Sequence, residues 1–149
     1  MSEIQDPLGV FIIEDEALIA MDIQAMIEDA GHRVIGEAAS FNTVCGHANL
    51  KDADLFLVDI QLSGAETGID AADYLREHSK AIIIFTTANP EYLPDDIGSG
   101  DGVITKPLQA GVFKRTLTYL HECERRPPPA SALPEEVRIA KSLSARWQD

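Results

Sequence analysis

Basic side chains are scarce in this chain. Among 149 residues there are 12 Lys or Arg against 25 Asp or Glu, a net charge of -13. Nucleic acids and anionic membranes are bound through basic patches. The single dense basic stretch is Arg125-Arg126, so neither is an expected partner. Cysteine is scarcer still. Cys45 and Cys123 have no metal-ligand spacing, and the polar, acidic N-terminus does not read as a secretory leader, so reduced thiols in a cytoplasm are expected. No apolar run approaches the roughly 20 residues that span a bilayer, and the chain is expected to be soluble. With 45% hydrophobic side chains it can bury one ordinary core. The expected organisation is one domain over residues 8–126, then a Pro-rich linker with a short amphipathic helix over 127–149.

Apolar runs rich in Val and Ile alternate with segments of helical period, which predicts β-α units on a parallel sheet buried on both faces. The predicted strands are Val10 to Ile13, Arg33 to Ala38, Asp54 to Ile60, Lys80 to Thr86 and Val103 to Thr105. After the first, Leu18, Ile19, Ile23, Met26 and Ile27 fall at helical spacing and Gly31 stops the helix; Met21 is also assigned to the core. Ser40 caps a weaker helix to about Asn49. Ile69 to Ser79 forms another, and Gln109 to Arg125 the last, with Val112, Phe113, Leu117 and Leu120 on one face. Pro94, Gly98, Gly100 and Gly102 leave room for only a short or broken helix between Glu91 and Gly102. Pro127, Pro128 and Pro129 end the last helix and favour an extended linker. Glu135 to Trp147 is expected as an amphipathic helix through Ile139, Ala140, Leu143 and Trp147, disordered, docked on its own domain or docked on a partner.

Four of these strands end in residues suited to handling a phosphoryl group with a divalent metal: Glu14, Asp15 and Glu16; Asp59; Thr86 and Thr87; and Lys106. In an open parallel sheet the carboxyl ends of the strands share one edge, so these groups are expected to meet. A hard cation such as magnesium takes carboxylates and water, which suits Asp15 and Asp59 as direct ligands and Glu14 as a nearby acid. An aspartate can attack phosphorus when a metal and a lysine neutralise the incoming oxygens, roles that fit Asp59 and Lys106. The Thr87 hydroxyl and the Ala88 amide would take another phosphoryl oxygen. Glu16 is read as a first-turn acid favoured by the helix dipole, and Thr86 as a strand residue. His32, His47, His78 and His121 lack metal spacing and are read as surface or capping residues.

The motifs Phe11-Ile-Ile-Glu-Asp-Glu16, Leu57-Val-Asp-Ile-Gln61, Phe85-Thr-Thr-Ala88 and Ile104-Thr-Lys-Pro107, in that order over residues 10 to about 125, resemble the receiver domains of two-component response regulators. The resemblance implies a flavodoxin-like (βα)5 sandwich with a five-stranded parallel sheet of order 2-1-3-4-5 and a C-terminal tail. It implies Asp59 as phosphoacceptor, Asp15 and Asp59 as direct magnesium ligands, Glu14 as a ligand through water and the Gln61 carbonyl completing the site, with manganese as a substitute ion. Thr87 would follow the phosphoryl group as a switch, and Lys106 would pair with it. Gln61 and Asn89 would tune hydrolysis. The donor would be a sensor histidine kinase or phosphotransfer protein, the output an unknown downstream protein, and the state a monomer or phosphorylation-dependent dimer. No enzyme activity is implied beyond self-phosphorylation and slow autodephosphorylation.

Gly68-Ile-Asp-Ala-Ala72 and Thr87-Ala-Asn-Pro-Glu-Tyr-Leu93 look more specifically like the receivers of PhyR-type bacterial general-stress regulators. Those couple the receiver to a sigma-factor-like domain, and stand-alone relatives occur; here a single-domain regulator is expected. The family often has an aromatic residue where this chain has Val103, so an aromatic rotamer switch is not expected. It usually has a proline at the position of Ser63, in a loop that is about one residue longer here. Output is therefore expected through that loop and the irregular segment after Pro90. A haloacid dehalogenase-type phosphatase would need an acid at Gln61, and a nucleotide would be repelled by Glu14-Asp15-Glu16. The competing expectation is a pseudo-receiver scaffold that binds a partner without phosphorylation.

Overall fold

The structure, a computed structural model, describes residues 4–62, 64 and 66–147. Ser63 lies outside the described residues, as does the side chain of Tyr92. Strands β1 (Gly9–Ile13), β3 (Leu55–Asp59) and β4 (Ile82–Thr87) are buried along their whole length, as their unbroken apolar runs require of strands covered on both faces. They are joined in parallel by β2 (Arg33–Ala38) and β5 (Gly102–Thr105), and the sheet order is β2-β1-β3-β4-β5-β6. The predicted order of the five parallel strands and the flavodoxin-like class are therefore present.

One face of the sheet carries α1 (Ala17–Asp29) and α4 (Ala110–Arg125), whose Ile23, Ile27, Phe113, Leu117 and Leu120 pack with Val10, Ile12 and Leu57. The other face carries α2 (Phe41–Val44) and α3 (Gly68–His78), whose Val44, Ala72 and Leu75 pack with Phe11, Phe56 and Ile83. Thr67 starts α3 with a reciprocal capping box to Asp70, which satisfies exposed amides at the helix start.

Four expectations are corrected. Ser40 does cap α2, accepting a hydrogen bond from the Thr43 amide, but the helix ends after one turn because Cys45 is already extended and Gly46 takes φ +84°. Leu18 and Met21, assigned to the core, are 77% and 64% exposed. The buried stripe of α1 runs through Ala20, Ile23 and Ile27, and the helical step puts Leu18 and Met21 on the opposite side. His32 and His121 are buried rather than superficial, packed ring to ring at 5.3 Å. The helix expected over 135–147 is instead a strand, β6 (Val137–Ile139), antiparallel to β5, followed by a single helical turn, α5 (Lys141–Ser144). The open edge of β5 offers unpaired amides and carbonyls, and Val137-Arg138-Ile139 alternates as a strand needs.

Between Thr87 and β5 there is only a 3-10 turn at Pro90–Tyr92 among the described residues. Ile97 in this segment is buried with φ +61°, a conformation that costs a β-branched residue about 1–2 kcal/mol.

Candidate functional site

The carboxyl ends of β1, β3 and β5 bring Glu14, Asp15, Asp59 and Lys106 together. Carboxylate oxygens of the three acids all lie within 4.8 Å of one another. Lys106 bridges two of them, with Nζ 3.0 Å from Glu14 Oε1 and 3.3 Å from Asp59 Oδ1. The Glu14 and Asp59 side chains are almost wholly buried, at 1% and 5% exposed. Asp59 Oδ1 also accepts the Gln61 amide at 3.0 Å, and Glu14 Oε2 accepts the Glu16 amide at 3.2 Å.

Burial and a hydrogen bond with Asp59 push the Glu14 carboxyl up to about 7, against the opposing pull of Lys106 and the Glu16 amide. Burial would by itself lower Lys106; its hydrogen bond to Glu14 and the charges of Asp59 and Glu14 outweigh that and hold the ammonium above its usual range. Three acids against one cation is the donor set and the charge deficit that a hard divalent ion satisfies, so these residues fit such an ion.

Thr87 ends β4 next to Thr105 of β5, and its carbonyl accepts the Lys106 amide at 2.8 Å. Its hydroxyl accepts the Asn89 amide at 3.1 Å, tying the switch candidate to the segment that follows. Ala88 is exposed and lines, with Ile19, Asp22, Ile23, Met26, Lys106 and Leu108, a groove of about 300 Å³ that meets the site at Lys106. Val103 is buried opposite Phe85, so no aromatic ring stands at that position.

Sequence reasoning missed two features. Gly68 packs so closely behind the acceptor strand that a Cβ on it would lie 2.0 Å from the Asp59 carbonyl oxygen. Its amide donates to Ile60 O at 2.9 Å. A glycine opening a helix in the loop after Asp59 is a weak signal of such contact. The groove itself had no linear signal, since α1 and the Pro107-Leu108 turn are far apart in the chain.

A doubly wound sheet with its charged groups gathered outside the carboxyl ends of the strands is an α/β domain with its ligand site in the usual place. The response regulator receiver domain matches residues 10–118, and the chain belongs to that family. It is 37% identical over 123 residues to the phyllosphere-induced regulator PhyR of Methylorubrum extorquens, covering 78% of this chain and 46% of that protein. The receiver domain of Erythrobacter litoralis PhyR superposes with a TM-score of 0.70 at 29% identity, over 83% of this chain and 97% of that one. The anti-anti-sigma factor PhyR of Bartonella quintana superposes at 0.64 with 37% identity, over 74% of this chain and 45% of that one. This chain thus spans less than half the length of the curated PhyR it matches.

Proposed function

We propose that this chain is a response-regulator receiver that accepts a phosphoryl group on Asp59 from a phosphohistidine and signals by binding another protein. The observation that carries this reading is the Lys106 ammonium held between Glu14 and Asp59 within a cluster of three carboxylates. In the transfer, the bond from Asp59 Oδ to phosphorus forms as the bond from phosphorus to the donor nitrogen breaks, and the electron pair leaves with the imidazole. Glu14, Asp15 and Asp59, with the Gln61 carbonyl, would hold magnesium or manganese. Such an ion supplies charge neutralisation at the phosphoryl oxygens. Lys106 would stay protonated and pair with one oxygen, and the Thr87 hydroxyl and the Ala88 amide would take another.

The donor would be a sensor histidine kinase or phosphotransfer protein. Leu18 and Met21 are exposed on α1, Met21 lining a cavity with Glu14 and Asp15, and give apolar surface that a partner helix needs next to the acceptor. A protein rather than DNA as downstream partner agrees with the net charge of -13 and with the anti-anti-sigma description of the Bartonella relative. No helix among the described residues is long and apolar enough to cross a membrane, and a cytoplasmic site of action is part of this proposal. Turnover would be limited to self-phosphorylation from a donor and slow hydrolysis of the acyl phosphate, tuned by Gln61 and Asn89.

Intact-protein mass spectrometry after incubation with acetyl phosphate tests the reading. A single phosphoryl adduct that needs magnesium and disappears in Asp59→Ala is the expected result. No adduct from acetyl phosphate or from a kinase would instead favour a scaffold that binds its partner without phosphorylation.

A further inference from the structure

At the amino-terminal edge of the sheet, opposite the acids, a cavity of about 490 Å³ opens between α4, the turn before β2 and the segment ahead of β1. Its size lies within the range of small-molecule sites, about 300–1,000 Å³. Ile4 and the α4 residues Thr118, Glu122 and Arg126 line it, and so do the imidazoles of His32 and His121, although these two residues are only 4% and 8% exposed.

Backbone contacts decide which ring nitrogen carries the hydrogen. His32 Nδ1 accepts the Leu8 amide at 3.0 Å, so in the neutral ring the hydrogen sits on Nε2 and makes that nitrogen a donor. Burial, then the charges of His121 and Arg125, push the His32 pKa down to about 4, which keeps the ring neutral near pH 7. His121 Nε2 lies 2.9 Å from the Gln5 carbonyl oxygen and 3.1 Å from that of Asp6. Carbonyls only accept, so this nitrogen donates, and Nδ1 of the neutral ring is left as an acceptor. The rings are 5.3 Å apart at 52°, and neither His32 Nε2 nor His121 Nδ1 has a hydrogen-bond partner among the described residues. Every fully enclosed side-chain nitrogen or oxygen of those residues is hydrogen-bonded, so the two free nitrogens reach the cavity. Largely buried polar groups without partners are costly. A ligand that pairs with both recovers that cost.

The same tautomers decide the ligand class. A metal ion needs a nitrogen lone pair, and His32 has given its own to the Leu8 amide; His121 Nδ1 alone falls short of the set a transition ion takes. An anion is no better suited. Glu122 Oε1 accepts the Ser131 hydroxyl and the Ser131 and Ala130 amides, bonds that hold the carboxyl below its usual range, so a fixed negative charge offsets Arg126 on the same helix. We propose that this cavity binds a small neutral molecule by an amide edge, whose carbonyl oxygen accepts from His32 Nε2 and whose N–H donates to His121 Nδ1. Primary carboxamides and the N–H/C=O edges of nucleobases share this chemistry. The site is at the other end of the strands from Asp59 and does not depend on the phosphorylation reading.

The test is long-range proton–nitrogen NMR of the histidine rings in the full chain at pH 8, where free imidazoles are neutral, titrated with nicotinamide and with uracil. N,N-dimethylnicotinamide, 1,3-dimethyluracil and nicotinate are the controls. In the free protein both rings are expected to carry their hydrogen on Nε2. Nicotinamide or uracil is expected to shift His32 Nε2 and His121 Nδ1 and to slow hydrogen exchange of the Leu8 amide; the tighter of the two identifies a carboxamide or a nucleobase as the source. The methylated analogues keep their carbonyls, lose the N–H and are expected to bind at least tenfold more weakly. His121→Gln keeps an N–H for the Gln5 and Asp6 carbonyls but loses the Nδ1 acceptor, and His32→Asn keeps an acceptor for the Leu8 amide but loses the Nε2 hydrogen. Each is expected to weaken binding at least tenfold, and if either fails to fold, the analogue comparison in the wild type decides. A hydrogen on His32 Nδ1, equal binding of the methylated analogues, or tighter binding of nicotinate would overturn the proposal. So would the absence of any ring shift with nicotinamide and uracil up to their solubility, which would leave a cavity that holds only water.

Discussion

Among the described residues Lys106 is the one cation paired with both Glu14 and Asp59, and its side chain is 18% exposed. Lys106→Met leaves two buried carboxylates facing each other, which should destabilise the metal-free chain by about 2–4 kcal/mol in urea unfolding. Adding Glu14→Gln should recover part of that loss, because it removes one of the two charges. Gly68→Ala drives a methyl into the Asp59 carbonyl; a shift of the acceptor strand should cost about 1–3 kcal/mol and slow formation of the acyl phosphate. His32 provides a pH test. Burial first, then the charges of His121 and Arg125, lower its pKa to about 4 from the ordinary 6.5, and its Nδ1 accepts the Leu8 amide at 3.0 Å. The unfolded chain therefore takes up this proton more readily. The contribution is intact above pH 6.5 and is lost as pH falls toward 4, by about 2–3 kcal/mol in total. Urea titrations between pH 7.5 and 4 should show a steeper loss in the wild type than in His32→Gln.

The elements differ in how far local pattern decides them. β1, β3 and β4 read as buried parallel strands because nothing but a two-sided core accommodates such runs. Helix α1 was legible as a helix, yet the extent of its buried arc was not, since Leu18 and Met21 fit an apolar pattern as well as Ile23 and Ile27 do. The last segment is the clearest case of tertiary override. Its alternation and its helical spacing coexist in the same residues, and the vacant edge of β5 selected the strand. If that segment is part of the cooperative fold, Leu143→Ala should lower stability by at least about 2 kcal/mol, as other buried leucines do. A change below about 0.5 kcal/mol would instead mark it as a peripheral linker.

For the whole molecule, the net charge of -13 opposes compaction, and sodium chloride should raise stability modestly by screening. Magnesium should do more than sodium chloride at equal ionic strength: a site filled at about 100 times its dissociation constant adds some 2.7 kcal/mol. Asp15→Asn should remove most of that excess in a thermal melt, and an equal response in the variant would count against the metal site. From the sequence alone came the β-α alternation and the set of residues that gather at the carboxyl edge, because the sidedness of a parallel sheet puts strand-end residues there; the strand order came only with the family resemblance that the motifs carry. The sequence also marked Asp59, Thr87 and Lys106 as strand-end residues. The Lys106 bridge, the close approach of Gly68, the burial of His32 and His121, and the docking of residues 137–147 emerge only on folding. Those depend on distances between elements remote in sequence, where packing and vacant hydrogen-bonding groups outweigh any local preference.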